Sequence, residues 1–184
     1  MTSELDAALA AVARSLRAST VRVHDGRRGS GSGVVWSSAG LVISNAHVVR
    51  GSSATVEFPD GRRVRAALVR RDPGLDLVAL RIAPSPALVA ATVRDSRTLQ
   101  PGELVVAAGN PLGLVGAVSA GLVQRCNARW VVADVRLAPG NSGGPLADAT
   151  GRIIGINSMV AGGLALAVPT SAVAAFLGED VRAA

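Results

Sequence analysis

The chain has no lysine and no tyrosine, and aromatic side chains make up only 2% of its 184 residues. All nineteen basic residues are therefore arginine, against thirteen acidic ones, for a formal charge of +6. An arginine excess points toward nucleic acid, but such binders concentrate their charge in a stripe and add aromatic stacking faces. Here the arginines are dispersed, and the densest group (Arg62, Arg63, Arg65, Arg70, Arg71) lies beside a turn. No specific nucleic-acid partner is expected. The lone cysteine, Cys126, excludes an internal disulfide and a cysteine-built metal cluster, and it fits a reducing compartment. It reads as an inert thiol. Three stretches lack charge, Gly29 to Val49, Leu104 to Gln124 and Ile153 to Gly178, but glycines interrupt each of them, with Asn45 and His47, Asn110 and Pro111, and Asn157 and Pro169 respectively. Such interruptions leave polar groups unsatisfied in lipid, so no membrane span is expected. Glu4 and Asp6 occupy positions where a secretory leader carries positive charge. No leader is read: the expected compartment is the cytoplasm if the chain is complete, and outside it if a leader has been removed.

With 49% hydrophobic and 17% charged residues, the chain is globular. Its length suits one domain that buries about 70% of the unfolded surface without staples. Leu5, Leu9, Val12 and Leu16 recur at helical spacing, with Ser3 placed to cap, predicting a helix over about 3–17. From Val21 the texture changes to short β-rich runs broken by turn residues. Asp25-Gly26 and Asp60-Gly61 mark two hairpins, because these pairs tolerate the positive φ of such turns. A connection with Pro84, Pro86 and Pro101 around it separates two β-rich halves, about 20–84 and 101–169. Thr170 or Ser171 caps a closing helix over about 170–178, ending at Gly178. The reading is a single all-β domain over 1–184, with a short helix at each end.

The most informative stretch is Pro139-Gly140-Asn141-Ser142-Gly143-Gly144-Pro145-Leu146. A serine among so many glycines sits where the backbone turns sharply and its N–H groups can converge, as an oxyanion hole requires. The stretch also fits the nucleophile elbow of α/β-hydrolases, which place their histidine after the serine. Both histidines here, His24 and His47, precede Ser142, which excludes that fold. A serine nucleophile needs a neighbouring imidazole steadied by a third group. His24 adjoins the Asp25-Gly26 turn and reads as a solvated residue; His47 ends the apolar run Ile43 to Val49. The third group must be a carboxylate tolerated among apolar neighbours. Asp76, followed by Leu77-Val78-Ala79-Leu80, meets that demand better than Asp72, which precedes Pro73 as turn residues do. The order His47, Asp76, Ser142 on a β-rich chain in two halves is that of chymotrypsin-like enzymes.

Several segments together resemble one family, the trypsin-like serine proteases of the HtrA (Deg) type. They are Gly31-Ser32-Gly33, Gly40 to Val49, Asp76 to Leu80, Gly109-Asn110-Pro111-Leu112-Gly113, Asp134 and Pro139 to Leu146, and the resemblance runs from about Thr20 to Pro169. It implies two six-stranded antiparallel β-barrels with the active site in the cleft between them. His47 would be the general base, Asp76 its orienter and Ser142 the nucleophile. The N–H groups of Gly140 and Ser142, with Asn141 between them, would form the oxyanion hole. Many relatives outside the HtrA group carry an aspartate before the nucleophile and use it to lock the site after N-terminal cleavage. Asn141 cannot form that ion pair, so no zymogen-style activation is expected.

The resemblance also implies a first specificity pocket lined by Leu137, Met159 and Val160, small and apolar, favouring cleavage after valine, leucine or alanine. Arg136 would favour acidic residues if its strand were rotated inward. Ser158 to Val160 would offer a strand edge to an extended polypeptide substrate. No metal and no cofactor is called for. HtrA proteins commonly add PDZ domains and trimerise through N-terminal aromatic contacts; neither a PDZ segment nor an aromatic before Trp36 is present, and the oligomeric state is left open. The alternatives are a silent protease-fold scaffold that binds peptides and an arginine-driven binder of acidic partners.

Overall fold

A computed structural model describes residues 2–26 and 29–178. The chain opens with α1 (Thr2–Ser19). The side chains of Ser3 and Leu5, read above as cap and stripe, lie outside those described. Val12 and Leu16 are buried against Val106, Ala108, Ala147 and Ile153, so this N-terminal helix packs on the C-terminal half of the molecule. Thr20 closes the helix by donating from its hydroxyl to the Leu16 carbonyl (2.7 Å).

Six strands follow: β1 (Thr20–His24), β2 (Ser30–Ser37), β3 (Leu41–Ser44), β4 (Ser53–Glu57), β5 (Arg63–Asp72) and β6 (Leu77–Arg81). They close into an antiparallel barrel in the order β1-β2-β3-β6-β5-β4. The second half contributes β7 (Leu104–Gly109), β8 (Ala117–Cys126), β9 (Val131–Ala133), β10 (Pro145–Asp148), β11 (Ile153–Ala161) and β12 (Leu164–Pro169). These close in the order β10-β11-β12-β9-β8-β7, the same cyclic topology when counted from its own first strand. The fold is thus two closed six-stranded antiparallel barrels with a helix at each end.

Both expected hairpins form, with Gly26 and Gly61 at positive φ (71° and 83°), through connections longer than two residues. Phe58 N–H donates to the Arg62 carbonyl and closes the second (2.9 Å). Strand β10 was hidden in the sequence because it is short and follows directly on the glycine-rich stretch. The closing helix, α2 (Thr170–Leu177), ends at Gly178 in the left-handed conformation (φ 76°), but neither Thr170 nor Ser171 caps it. Pro169 occupies the cap position. Thr170 instead donates to the Arg94 carbonyl (2.7 Å) and accepts from Ser96 N–H (3.0 Å), fastening the interbarrel connection to the helix.

Each barrel has its own aliphatic interior. A third cluster brings Val34, Ile43 and Leu77 of the first barrel against Ile156 and Val168 of the second, with Val173 and Phe176 of α2 beside them. That contact fixes the two barrels against each other and so sets the cleft geometry. Several arginines of the dense group are engaged within the molecule: Arg62 stacks on Phe58, Arg63 pairs with Glu57, and Arg71 donates to the Val49 carbonyl. Among the described residues no helix is long and apolar enough to cross a membrane.

Candidate active site

Two loops of the first barrel are fastened to each other before any side chain enters the cleft. Asn45, fully buried after β3, donates from its amide to the Asp76 carbonyl (2.9 Å), and Ala46 N–H donates to the same oxygen (3.2 Å). Asp72 closes the turn that precedes β6 by accepting from Leu75 N–H (3.0 Å), as its place before Pro73 led one to expect. Asp76 itself adopts a left-handed backbone (φ 55°), a conformation that costs a non-glycine residue about 1–3 kcal/mol. The conformation places its carboxylate on His47: Nδ1 lies 3.0 and 2.9 Å from the two oxygens, and His47 N–H donates to Oδ1 (3.1 Å).

Ser158 supplies a further donor, its hydroxyl giving to Asp76 Oδ2 at 2.6 Å. Burial pushes the Asp76 carboxyl upward, but the hydrogen bonds from His47 and Ser158 outweigh it and hold the group below the usual carboxylate range. Asp76 is thus an ionised acceptor that holds an imidazole proton on Nδ1. The Asp76 side chain is 17% exposed and that of His47 47%, so the carboxylate is shielded while the imidazole faces the cleft.

Ser142 enters from the second barrel, on the turn between β9 and β10. Asn141 N–H donates to the Ala138 carbonyl (3.0 Å), Gly144 N–H to the Asn141 carbonyl (2.9 Å), and Gly143 N–H to the Asn157 carbonyl (2.8 Å). Leu112 N–H holds the Pro139 carbonyl (3.1 Å). Gly140 (φ 106°) and Gly143 (φ 86°) adopt left-handed conformations, and a Cβ on Gly143 would collide with the Ser32 carbonyl. Among the described residues, the N–H groups of Gly140 and Ser142 have no protein acceptor. The Ser142 hydroxyl donates to the Ser158 carbonyl (3.0 Å), not to His47. Ser158 therefore touches both Asp76 and Ser142.

Two clefts meet at Ser142. One, of about 380 Å³, is lined by Leu137, Ala138, Asn141, Ser158, Met159 and Val160, which include the residues expected to line the specificity pocket. Arg136 does not border it; it lines a neighbouring recess with Val118 and Ser119, and Ser119 donates to its carbonyl (2.7 Å). The other cleft, of about 480 Å³, runs past His47, Val48 and Arg50. His24 borders neither, being paired with Glu57 (2.8 Å). A larger apolar recess of about 580 Å³ lies away from these groups, over Leu99, Cys126 and Ala172. Burial, and the nearby Asp95 carboxylate, raise the Cys126 thiol pKa, consistent with an inert cysteine. Among the described residues no three histidine, cysteine or carboxylate side chains group as metal ligands.

The roles of Ser158 and Ser32 at this site were not anticipated as they appear here. Ser158 was expected only as a strand edge, and Ser32 carried no role.

Residues 31–156 match the family of the trypsin-like peptidase domain. Human serine protease HTRA3 is 34% identical over 170 residues, covering 82% of this chain and 38% of the relative. A probable periplasmic serine endoprotease, DegP-like, from Halomonas elongata is 38% identical over 143 residues, 73% of this chain and 30% of the relative. The crystal structure of the serine endoprotease from Yersinia pestis superimposes with a TM-score of 0.85 at 29% identity, covering 94% of this chain and 66% of that one. The chain spans less than two fifths of the length of these two curated relatives. With the two-barrel fold and the geometry at Ser142, these matches mean that the chain belongs to the trypsin-like peptidase family, among its HtrA and DegP members.

Proposed function

We propose that the protein is a serine endopeptidase that cleaves unfolded or flexible polypeptides through an acyl-enzyme, with His47, Asp76 and Ser142 as its triad. The observation that carries this is the seating of the Asp76 carboxylate on Nδ1 of His47 beside the cleft that holds Ser142. His47 Nε2 takes the Ser142 proton as Oγ attacks the scissile carbonyl carbon, and Asp76 stabilises the imidazolium that forms. The carbonyl oxygen, now negative, is received by the N–H groups of Gly140 and Ser142, with Asn141 linking them. As the tetrahedral intermediate collapses, the C–N bond breaks and His47 returns the proton to the leaving amine. Water then repeats the sequence on the ester and frees Ser142.

Attack requires the Ser142 hydroxyl to leave the Ser158 carbonyl and turn to His47. Unliganded sites often show such loose geometry. The apolar cleft of Leu137, Met159 and Val160, with Arg136 outside it, supports cleavage after valine, leucine or alanine over cleavage after acidic residues. Peptide-library cleavage dominated by arginine, lysine or glutamate at that position would contradict this.

The resting contact of Ser142 with Ser158 is also what a silent peptide-binding scaffold would show. Treatment with a fluorophosphonate, read by intact mass, separates the two. A single adduct that disappears in Ser142→Ala and His47→Ala is the expected result, whereas a folded chain that takes no adduct is a scaffold.

A further inference from the structure

Ser32 has no part in the chemistry above, yet it lies between the two barrels at the turn that carries Ser142. We propose that Ser32 is a positioning residue that selects the working orientation of the oxyanion-hole peptides; this rests on the peptidase reading. Ser32 is fully buried on β2 of the first barrel, and its hydroxyl donates across the interface to the Gly140 carbonyl (2.7 Å). The same oxygen accepts from Asn110 N–H (2.9 Å) and from the Asn110 amide (3.2 Å). A serine hydroxyl has one proton and two lone pairs. Asn110 uses both lone pairs, which leaves the proton with the Gly140 carbonyl as its acceptor. Asn110 is itself held, donating to the Val21 carbonyl (3.1 Å) and accepting from Gly116 N–H (3.0 Å).

The main chain of Ser32 reinforces the contact, its N–H donating to the Ser142 carbonyl (2.8 Å). One residue thus grips the carbonyls on both sides of Asn141. The Gly140–Asn141 peptide is rigid and is pinned at both ends, its carbonyl by Ser32 and its N–H by the Ala138 carbonyl (3.0 Å). That peptide lies between the two N–H groups assigned to the oxyanion. Gly140 has no intrinsic preference for φ 106° over other wells, so its conformation is selected by the hydrogen bonds at the two ends of this peptide, of which the Ser32 hydroxyl is the one from outside the loop. Without the Ser32 hydroxyl, the Gly140 carbonyl lacks its donor and the peptide is held only at its N–H end, so its carbonyl can turn toward water and move the adjacent N–H groups off the oxyanion.

Ser44 provides a matched control. It is fully buried and donates to the Ser32 carbonyl (2.7 Å) without contacting the Gly140 peptide. The experiment compares the full chain with Ser32→Ala, Ser32→Cys and Ser44→Ala. It measures kcat and KM on a fluorogenic peptide and the affinity for a peptide boronate, whose tetrahedral adduct mimics the transition state. Ser32→Ala is expected to lower kcat and boronate affinity together by about 10- to 100-fold, somewhat less than deleting an oxyanion donor, with KM within about threefold. Ser44→Ala should leave all three within about threefold of wild type even where its melting temperature falls as far. Ser32→Cys, which keeps a weak donor, should lie between, and it carries the test if Ser32→Ala does not fold. Unchanged boronate affinity in the folded Ser32 variants, or an equal loss in Ser44→Ala, overturns the role assigned to Ser32 alone. A wild-type chain that binds no boronate instead overturns the peptidase reading, and this role falls with it.

Discussion

The most discriminating perturbation is Asp76→Asn, which changes almost no volume. Asp76 now accepts from the His47 N–H at 3.1 Å, from Nδ1 at 2.9 Å and from the Ser158 hydroxyl at 2.6 Å. A carboxamide has one oxygen and one NH₂ in place of two oxygens. The His47 main-chain N–H is a fixed donor, so the amide oxygen must take the Oδ1 side. The NH₂ group then faces Ser158, whose hydroxyl rotates to accept, and Nδ1 of His47 at 2.9 Å; Nδ1 is also 3.0 Å from the oxygen, but that oxygen is already taken by the main-chain N–H, so Nδ1 accepts from the NH₂ and gives up its proton. The imidazole proton moves to Nε2, and the base that should face Ser142 is gone. The structural penalty is one reorganised hydrogen-bond set, about 1–3 kcal/mol. The kinetic penalty is far larger: kcat should fall about 10⁴-fold, as a wrong tautomer does in such triads, equivalent to about 5 kcal/mol of transition-state stabilisation. The assay is kcat on an aliphatic fluorogenic peptide, with thermal unfolding measured on the same preparation. A folded Asp76→Asn chain within tenfold of wild type would refute the reasoning.

Ser158→Ala removes a hydrogen bond to a charged group, worth about 1.5–3 kcal/mol, so the Asp76 carboxyl should move upward and kcat should fall roughly tenfold. Unchanged kcat would show that Ser158 does not support the carboxylate. Stability should fall in acid. For Asp76 and Asp148 burial pushes the carboxyl up, but their hydrogen bonds win; for Glu103 the bond from Arg94 leads; all three end below their ordinary range. A depressed carboxyl stabilises the fold above its unfolded value and loses that contribution as pH falls through the folded one. Urea midpoints should therefore hold to about pH 5 and decline below about pH 4, and a flat profile to pH 3 would contradict this. Leu16→Ala should cost about 2–5 kcal/mol in urea unfolding, because Leu16 joins α1 to the second barrel at 1% exposure; a loss under 1 kcal/mol would mean that the helix is dispensable there.

The groups that were legible in the sequence are those whose chemistry demands an unusual local setting. An aspartate followed by Leu77-Val78-Ala79-Leu80, a histidine at the end of an apolar run and a serine among three glycines each depart from what their neighbours would tolerate on a surface. The barrels were legible for a similar reason, since turn residues punctuate runs of alternating or buried β-formers, and β10 escaped because it is only four residues long and opens on the proline that ends the glycine-rich stretch. Thr170 was misread as a cap because local spacing could not show that its hydroxyl is taken by Arg94 and Ser96. Ser32 and Ser158 were illegible on the same principle. A serine in a strand is unremarkable by composition, and what distinguishes these two is a partner 108 residues away for one and 82 for the other. Both contacts cross from one barrel to the other. The proposed triad is therefore written in local residue environments, but the hydrogen bonds that would aim it exist only once the two barrels have closed on each other. Mutations in the Val34, Ile156 and Phe176 contact should for that reason damage kcat before they unfold either barrel.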